Sequence, residues 1–215
     1  MSRQNVLITG ATRGIGRACV EYFVRSGWEV TGVARSATAL AQLREELGGA
    51  VQIIQADLTT KAGIAAVPQK YFDAIILNAA TFAPGELLRG EDKFEQLWKL
   101  NVRSNHRLMR RILPELRKKG RGHLVVIGSL GTDYWPPHLT AYVATKYALR
   151  GLFLGWEAEL KGSGIRTTLV APGATLTSSW DNEEPPLEIL LPRQVAEFVG
   201  MAIEDGREGR LVIEV

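Results

Sequence analysis

The chain has 215 residues, 46% hydrophobic and 23% charged, with a formal net charge of only +3. That length suits one domain with a sizeable core. Charges of both signs are mixed along it, which argues against a nucleic-acid surface, and no run of 18 apolar residues offers a membrane span. The single cysteine, Cys19, excludes an internal disulfide and sits in an apolar helical pattern, where burial is expected. No metal site is expected. The first strand starts close to the N-terminus and leaves no room for a leader, so a cytoplasmic protein is expected.

The first apolar, β-branched run is NVLIT, residues 5–9. It leads into TGATRGIG, with Gly10, Gly14 and Gly16 at the entrance of a helix predicted over 14–26. Glycine permits a sharp turn with positive φ and lets a phosphate approach the backbone. The helix N-terminus adds unpaired N–H groups and the positive end of its dipole. A pyrophosphate suits such a turn, although the spacing is Gly-x-x-x-Gly-x-Gly rather than Gly-x-Gly-x-x-Gly. The second strand, 28–34, ends GVARS. A dinucleotide without a ribose phosphate meets an Asp or Glu at this place. Here stand Arg35 and Ser36, with Arg13 inside the glycine turn. Two guanidiniums favour a 2′-phosphate through charge-assisted hydrogen bonds. NADP(H) is therefore expected over NAD(H), against the plainer reading of two solvated arginines.

Further strands are predicted at 50–55, 72–77, 122–128, 165–170 and 210–215, and further helices at 37–47, 91–118, 140–161 and 192–204. The link 56–71 holds at most a short helix. Near-continuous apolar strands imply burial on both faces, as in a parallel sheet. The alternation gives an α/β class: a single-domain Rossmann fold over 1–215, with a doubly wound parallel sheet of about seven strands and helices on both faces. The segment TLTSSWDNEEPPLEILLP, 175–192, interrupts this pattern. It follows the C-terminal end of a strand, where such sheets bind ligands, and is either a lid or a surface excursion. Asn182, Glu183 and Glu184 within it are expected to be solvated.

TAYVATKYALRG, 140–151, sets Tyr142 four residues before Lys146, on one face of a helix. A phenol with a pKa of about 10 exchanges protons poorly near neutral pH. One positive charge at ~4 Å and an effective dielectric of ~20 contributes roughly 4 kcal/mol, or about three pKa units. Before any discount for desolvation of the phenolate, that would make the pair a tuned proton donor; the plainer alternative is two ordinary residues on a helix.

The ordered set of motifs resembles the short-chain dehydrogenase/reductase family over residues 5 to about 177. TGATRGIG is similar to the family's cofactor turn, engaging Gly10, Thr12, Arg13, Gly14, Ile15 and Gly16. DLT, 57–59, resembles its adenine contact, implying Asp57 and Leu58. LNAA, 77–80, resembles its Asn-Asn-Ala-Gly stretch, implying Asn78 and Ala79. APG, 171–173, with Thr177 resembles the nicotinamide loop, implying Pro172, Gly173 and Thr177. The resemblance implies catalytic roles for Asn101, Ser129, Tyr142 and Lys146. Tyr142 is the general acid in carbonyl reduction and the base in alcohol oxidation. Lys146 lowers its pKa and holds the nicotinamide ribose. Ser129 orients the substrate oxygen, and Asn101 bends the long helix and holds a water leading to Lys146. Alone, Asn101 reads as a solvated helix residue.

Around these positions, Phe82, Tyr134, Trp135 and Trp180 either line an apolar pocket or simply pack. His138 is read as a rim residue. Ala80 replaces the family's glycine and narrows the turn. Gly151 and Gly155 are spaced for close helix approach, and the resemblance places the dimer interface on that helix, so a homodimer is expected. Many family tetramers use a segment beyond the last strand, so with the sequence ending at Val215 a tetramer is the lesser expectation beside the dimer. The substrate is a small carbonyl or alcohol that the sequence does not name. The rival reading is a dinucleotide-binding sensor or scaffold without turnover, which retention of Tyr142, Lys146, Ser129 and Asn101 argues against.

Overall fold

The computed structural model describes residues 3–86, 88, 90–181 and 184–215. Seven strands, β1 Asn5–Thr9, β2 Glu29–Ala34, β3 Val51–Gln55, β4 Ala74–Leu77, β5 Gly122–Ile127, β6 Ile165–Pro172 and β7 Gly209–Ile213, form one sheet in the order β3-β2-β1-β4-β5-β6-β7. Every pairing is parallel. Successive side chains of β1 serve opposite layers. Val6 and Ile8 enter one core cluster with Phe23, Val195 and Val199, while Leu7 enters the other with Leu108, Ile112 and Phe153. Helices cover both faces, so both sets of side chains are buried and the strands read as continuous apolar runs.

The helices are α1 Gly14–Arg25, α2 Ala37–Leu47, α3 Lys61–Ala66, α4 Phe94–Trp98, α5 Asn105–Lys119, α6 Thr140–Leu160 and α7 Pro192–Glu204. None of the described helices is long and apolar enough to cross a membrane. The short link keeps only the six residues of α3, capped by the Thr60 hydroxyl, which accepts from the Gly63 N–H at 2.9 Å.

One expectation is corrected. The long helix predicted over 91–118 begins at Phe94, and a π-helical turn, Lys99–Ser104, divides it. The cause is local. Ser104 Oγ donates to the Leu100 carbonyl, and Asn105 Nδ2 donates to the Asn101 carbonyl at 2.8 Å. These side chains compete with backbone N–H groups for the carbonyls of the preceding turn.

The strand order reverses between β1 and β4, which opens a crevice at their C-terminal ends. The glycine turn leaves β1 there, Asn78 follows β4, and Ser129 follows β5. Segment 175–192 emerges from β6 at the same edge. It is tied at its base, where Leu176 donates to the Leu190 carbonyl at 2.8 Å and Leu190 to the Ala174 carbonyl at 2.9 Å. Glu184 is exposed, as expected; Asn182 and Glu183 lie outside the described residues.

Candidate active site

A side chain with no place in the sequence expectations organises the crevice. Thr9 is fully buried at the end of β1. Its Oγ1 donates to the Ile76 carbonyl at 3.3 Å and accepts from the Asn78 and Ala79 N–H groups, each at 3.0 Å. Asn78 returns the contact, its Nδ2 donating to the carbonyls of Thr9 at 3.0 Å and Gly10 at 3.3 Å. Asn78 thus fastens the turn after β1 to the turn after β4. Gly10 adopts φ +68°, and a Cβ on Gly16 would lie 2.1 Å from the Gly10 carbonyl oxygen. The turn closes this tightly only with glycine.

Arg13 caps α1 with extended backbone and no side-chain cap, so the first N–H groups of the helix lack a partner within it. Those donors, with Gly10, Gly14 and Ile15 lining the cavity, fit an anionic phosphate group. Arg13, Arg35 and Ser36 are exposed, and each borders the same cavity. Ser36 also caps α2, accepting from the Ala39 N–H at 3.2 Å.

The cavity, of about 1060 Å³, runs on to Ser129, Tyr142 and Lys146. Ser129 begins a short turn, and its Oγ accepts from the Gly131 N–H at 3.1 Å. Half-buried Tyr142 meets the Phe82 ring edge-on, with centroids 4.9 Å apart. Lys146 is 3% exposed; its Nζ donates to the Ile127 carbonyl at 3.0 Å and lies 5.8 Å from the Tyr142 ring centroid. The expected downward tuning of Tyr142 is not what this geometry gives. Burial pushes the phenol up to about 12, and the hydrogen bond with Ser129 only partly offsets it. Burial also brings the Lys146 ammonium down to about 8. Desolvation penalises both charged forms, and Lys146 is turned toward a backbone carbonyl rather than the phenol oxygen.

All the expected site residues line the cavity except Gly16, Asp57 and Asn101. The Asp57 carboxylate is held by its own turn, accepting from Thr59 N at 2.9 Å and Thr59 Oγ1 at 2.8 Å. These bonds, then the charge of Arg35, keep it below the usual carboxylate range. Asn101 is fully buried, which corrects the solvated alternative. Its Oδ1 accepts from Thr81 N at 2.8 Å, and its Nδ2 donates to the Thr81 carbonyl and to Thr145 Oγ1, both at 3.0 Å. It braces the loop after β4 against α6, behind the cavity wall.

Phe82, Tyr134 and Trp180 line the cavity. Trp135 does not; it is 57% exposed and stacks on Tyr147 at 6.0 Å. His138, with φ 62°, is exposed on the rim loop, and its carbonyl accepts from Gly85 N. Cys19 is buried, and burial lifts its thiol to about 12. Thr9, Thr81 and Thr145 are the supporting residues that sequence reasoning missed. Their one sequence signal is a hydroxyl in an otherwise apolar neighbourhood.

A Rossmann-type sheet with a Ser–Tyr–Lys cluster beside a glycine turn defines a dinucleotide-dependent oxidoreductase. The family model for short chain dehydrogenases matches residues 4–187. The chain belongs to the short-chain dehydrogenase family. It is similar to serine 3-dehydrogenase of Agrobacterium fabrum, with 34% identity over 195 residues, covering 83% of this chain and 77% of that one. It is also similar to the NADP-dependent 3-hydroxy acid dehydrogenase YdfG of Escherichia coli, with 28% identity over 186 residues, covering 82% and 75%. Among solved structures, a short-chain dehydrogenase from Sphingobium yanoikuyae in complex with NADPH superposes with a TM-score of 0.86 at 32% identity. The match covers 97% of this chain and 87% of that one.

Proposed function

We propose that this chain reduces a small carbonyl compound with NADPH, or oxidises the corresponding alcohol, with Tyr142 as general acid or base. The observation that carries the reading is the single cavity joining the glycine turn to Ser129, Tyr142 and Lys146. The free N–H groups of α1 would hold the dinucleotide's phosphates, and Pro172, Gly173 and Thr177 its nicotinamide end. Arg13 and Arg35, with no acid after β2, favour a 2′-phosphate. The NADP-dependent relative and the NADPH-bound neighbour support the same preference.

When bound, the dinucleotide supplies the hydride and, once oxidised, a cationic ring. The Ser129 and Tyr142 hydroxyls donate to the substrate oxygen as it gains negative charge. Tyr142 then gives up its proton, its O–H bond breaking as the alcohol O–H forms. Burial keeps Tyr142 protonated at neutral pH, the state a proton donor requires. For alcohol oxidation the phenolate needs nearby positive charge, which Lys146 provides while protonated. Asn101 acts as a positioning residue through Thr81 and Thr145.

The test is cofactor oxidation with NADPH and NADH over a panel of ketones and aldehydes. NADPH turnover is expected for wild type and lost in Tyr142→Phe; turnover that survives the substitution refutes the role. Arg35→Asp is expected to shift preference toward NADH. The homodimer belongs to the same reading. On α6, Tyr147 and Leu154 are exposed, 49% and 53%, and open space lies over Gly151 and Gly155. Light scattering that finds a dilution-stable monomer counts against it. Cell fractionation tests the cytoplasmic location.

A further inference from the structure

Among the described residues, the cavity carries few charged side chains. Of the described residues lining the whole cavity, three carry a full charge: Arg13, Arg35 and Lys146. Arg35 follows β2, three strands from the end of β5 where Ser129 stands, or roughly 14 Å at the ordinary strand spacing. β1, whose following turn carries Arg13, lies two strands from β5, roughly 10 Å at the ordinary strand spacing. Lys146 is buried and donates to the Ile127 carbonyl. The lining also holds an uncharged set, Phe82, Leu100, Tyr134, Pro136, Leu139 and Trp180, with Thr81, Ser178 and Ser179 as neutral polar members. The one polar atom of the Trp180 side chain is already committed, since its Nε1 donates to the Thr175 carbonyl at 3.0 Å. The Phe82 ring stands edge-on against Tyr142 itself.

A carboxylate brought into this end would lose water and find, among the described residues, no cation but Lys146, whose ammonium is already committed to the Ile127 carbonyl. An apolar or aromatic substituent would bury its surface against rings of matching character. From this geometry we infer that the substrate is an uncharged carbonyl compound with an apolar, aryl-sized substituent, rather than a keto acid or amino acid. This rests on the carbonyl-reductase reading above. It also sets the chain apart from similar proteins named for serine and for 3-hydroxy acids.

The experiment uses two ketones of one skeleton, methyl 4-acetylbenzoate and 4-acetylbenzoate, which differ in a single negative charge. With NADPH, the ester is expected to be reduced with a kcat/KM at least 100-fold above that of the acid. Leu139→Arg should narrow or invert that ratio, with NADPH affinity unchanged. Equal rates for the two ketones, or a preference for the acid, overturns the inference. Binding is read separately, by titrating each ketone into the NADPH complex of Tyr142→Phe and following NADPH fluorescence. A response to the ester alone supports the inference even without turnover. NADPH binding with no response to either ketone overturns it and leaves the cofactor reading intact. Failure to bind NADPH defeats the underlying reading, and the inference with it.

Discussion

His123 makes the stability of this protein depend on mild acid. It lies on β5, 3% exposed, with Nε2 2.7 Å from Thr168 Oγ1. The Thr168 hydroxyl donates onward to the Arg207 carbonyl, so Nε2 carries the proton toward Thr168. Nδ1 is then an acceptor with no partner among the described residues. Burial, and then the charge of Arg166 in register on β6, bring the pKa down from 6.5 to about 4. The folded protein therefore keeps His123 neutral while the unfolded chain takes up a proton. Stability is fully present above pH 6.5 and falls as pH drops toward 4. At pH 5.5 this one group removes on the order of 1 kcal/mol, and by pH 4 about 3 kcal/mol. Urea unfolding at pH 7, 5.5 and 4.5, for wild type and His123→Gln, measures it. The amide can still donate to Thr168 but does not titrate, so the wild-type curve should fall more steeply by that amount. Parallel curves, or a His123 NMR titration centred near 6.5, would refute the reasoning.

In Gly16→Ala the new Cβ collides with the Gly10 carbonyl. The turn should be destabilised by about 2 kcal/mol, with NADPH binding weakened roughly 30-fold by calorimetry. For carbonyl reduction, kcat/KM should decline on the alkaline side with an apparent pKa near 8 as Lys146 loses its charge, while Tyr142 stays protonated. Lys146→Met should remove that limb from the pH profile. The buried Cys19 should resist a thiol reagent at pH 8 and react only when urea unfolds the chain, because its thiolate is strongly disfavoured in the fold.

The elements legible in the chain are those set by local periodicity. Apolar runs such as VLIT and LVVI give strands whatever their neighbours, since both faces will be covered. The spacing of Tyr142 and Lys146 on one helix, and the glycine turn straight after β1, are likewise local facts. The site residues singled out, all but Gly16, Asp57 and Asn101, line one crevice. The sign of the Tyr142 shift was not legible. It depends on how much water the folded cavity leaves and on which carbonyl Lys146 finds, and Ile127 stands 19 residues away. The same limit hid the brace of Asn101 on Thr81 and Thr145, and Thr9 reaching Asn78 and Ala79 from 69 and 70 residues off. Asp57 turning onto Thr59 was local in sequence, yet two outcomes competed for one carboxylate. Only the packed structure decided these points, because hydrogen-bond partners and desolvation belong to the assembled interior and not to any segment of chain.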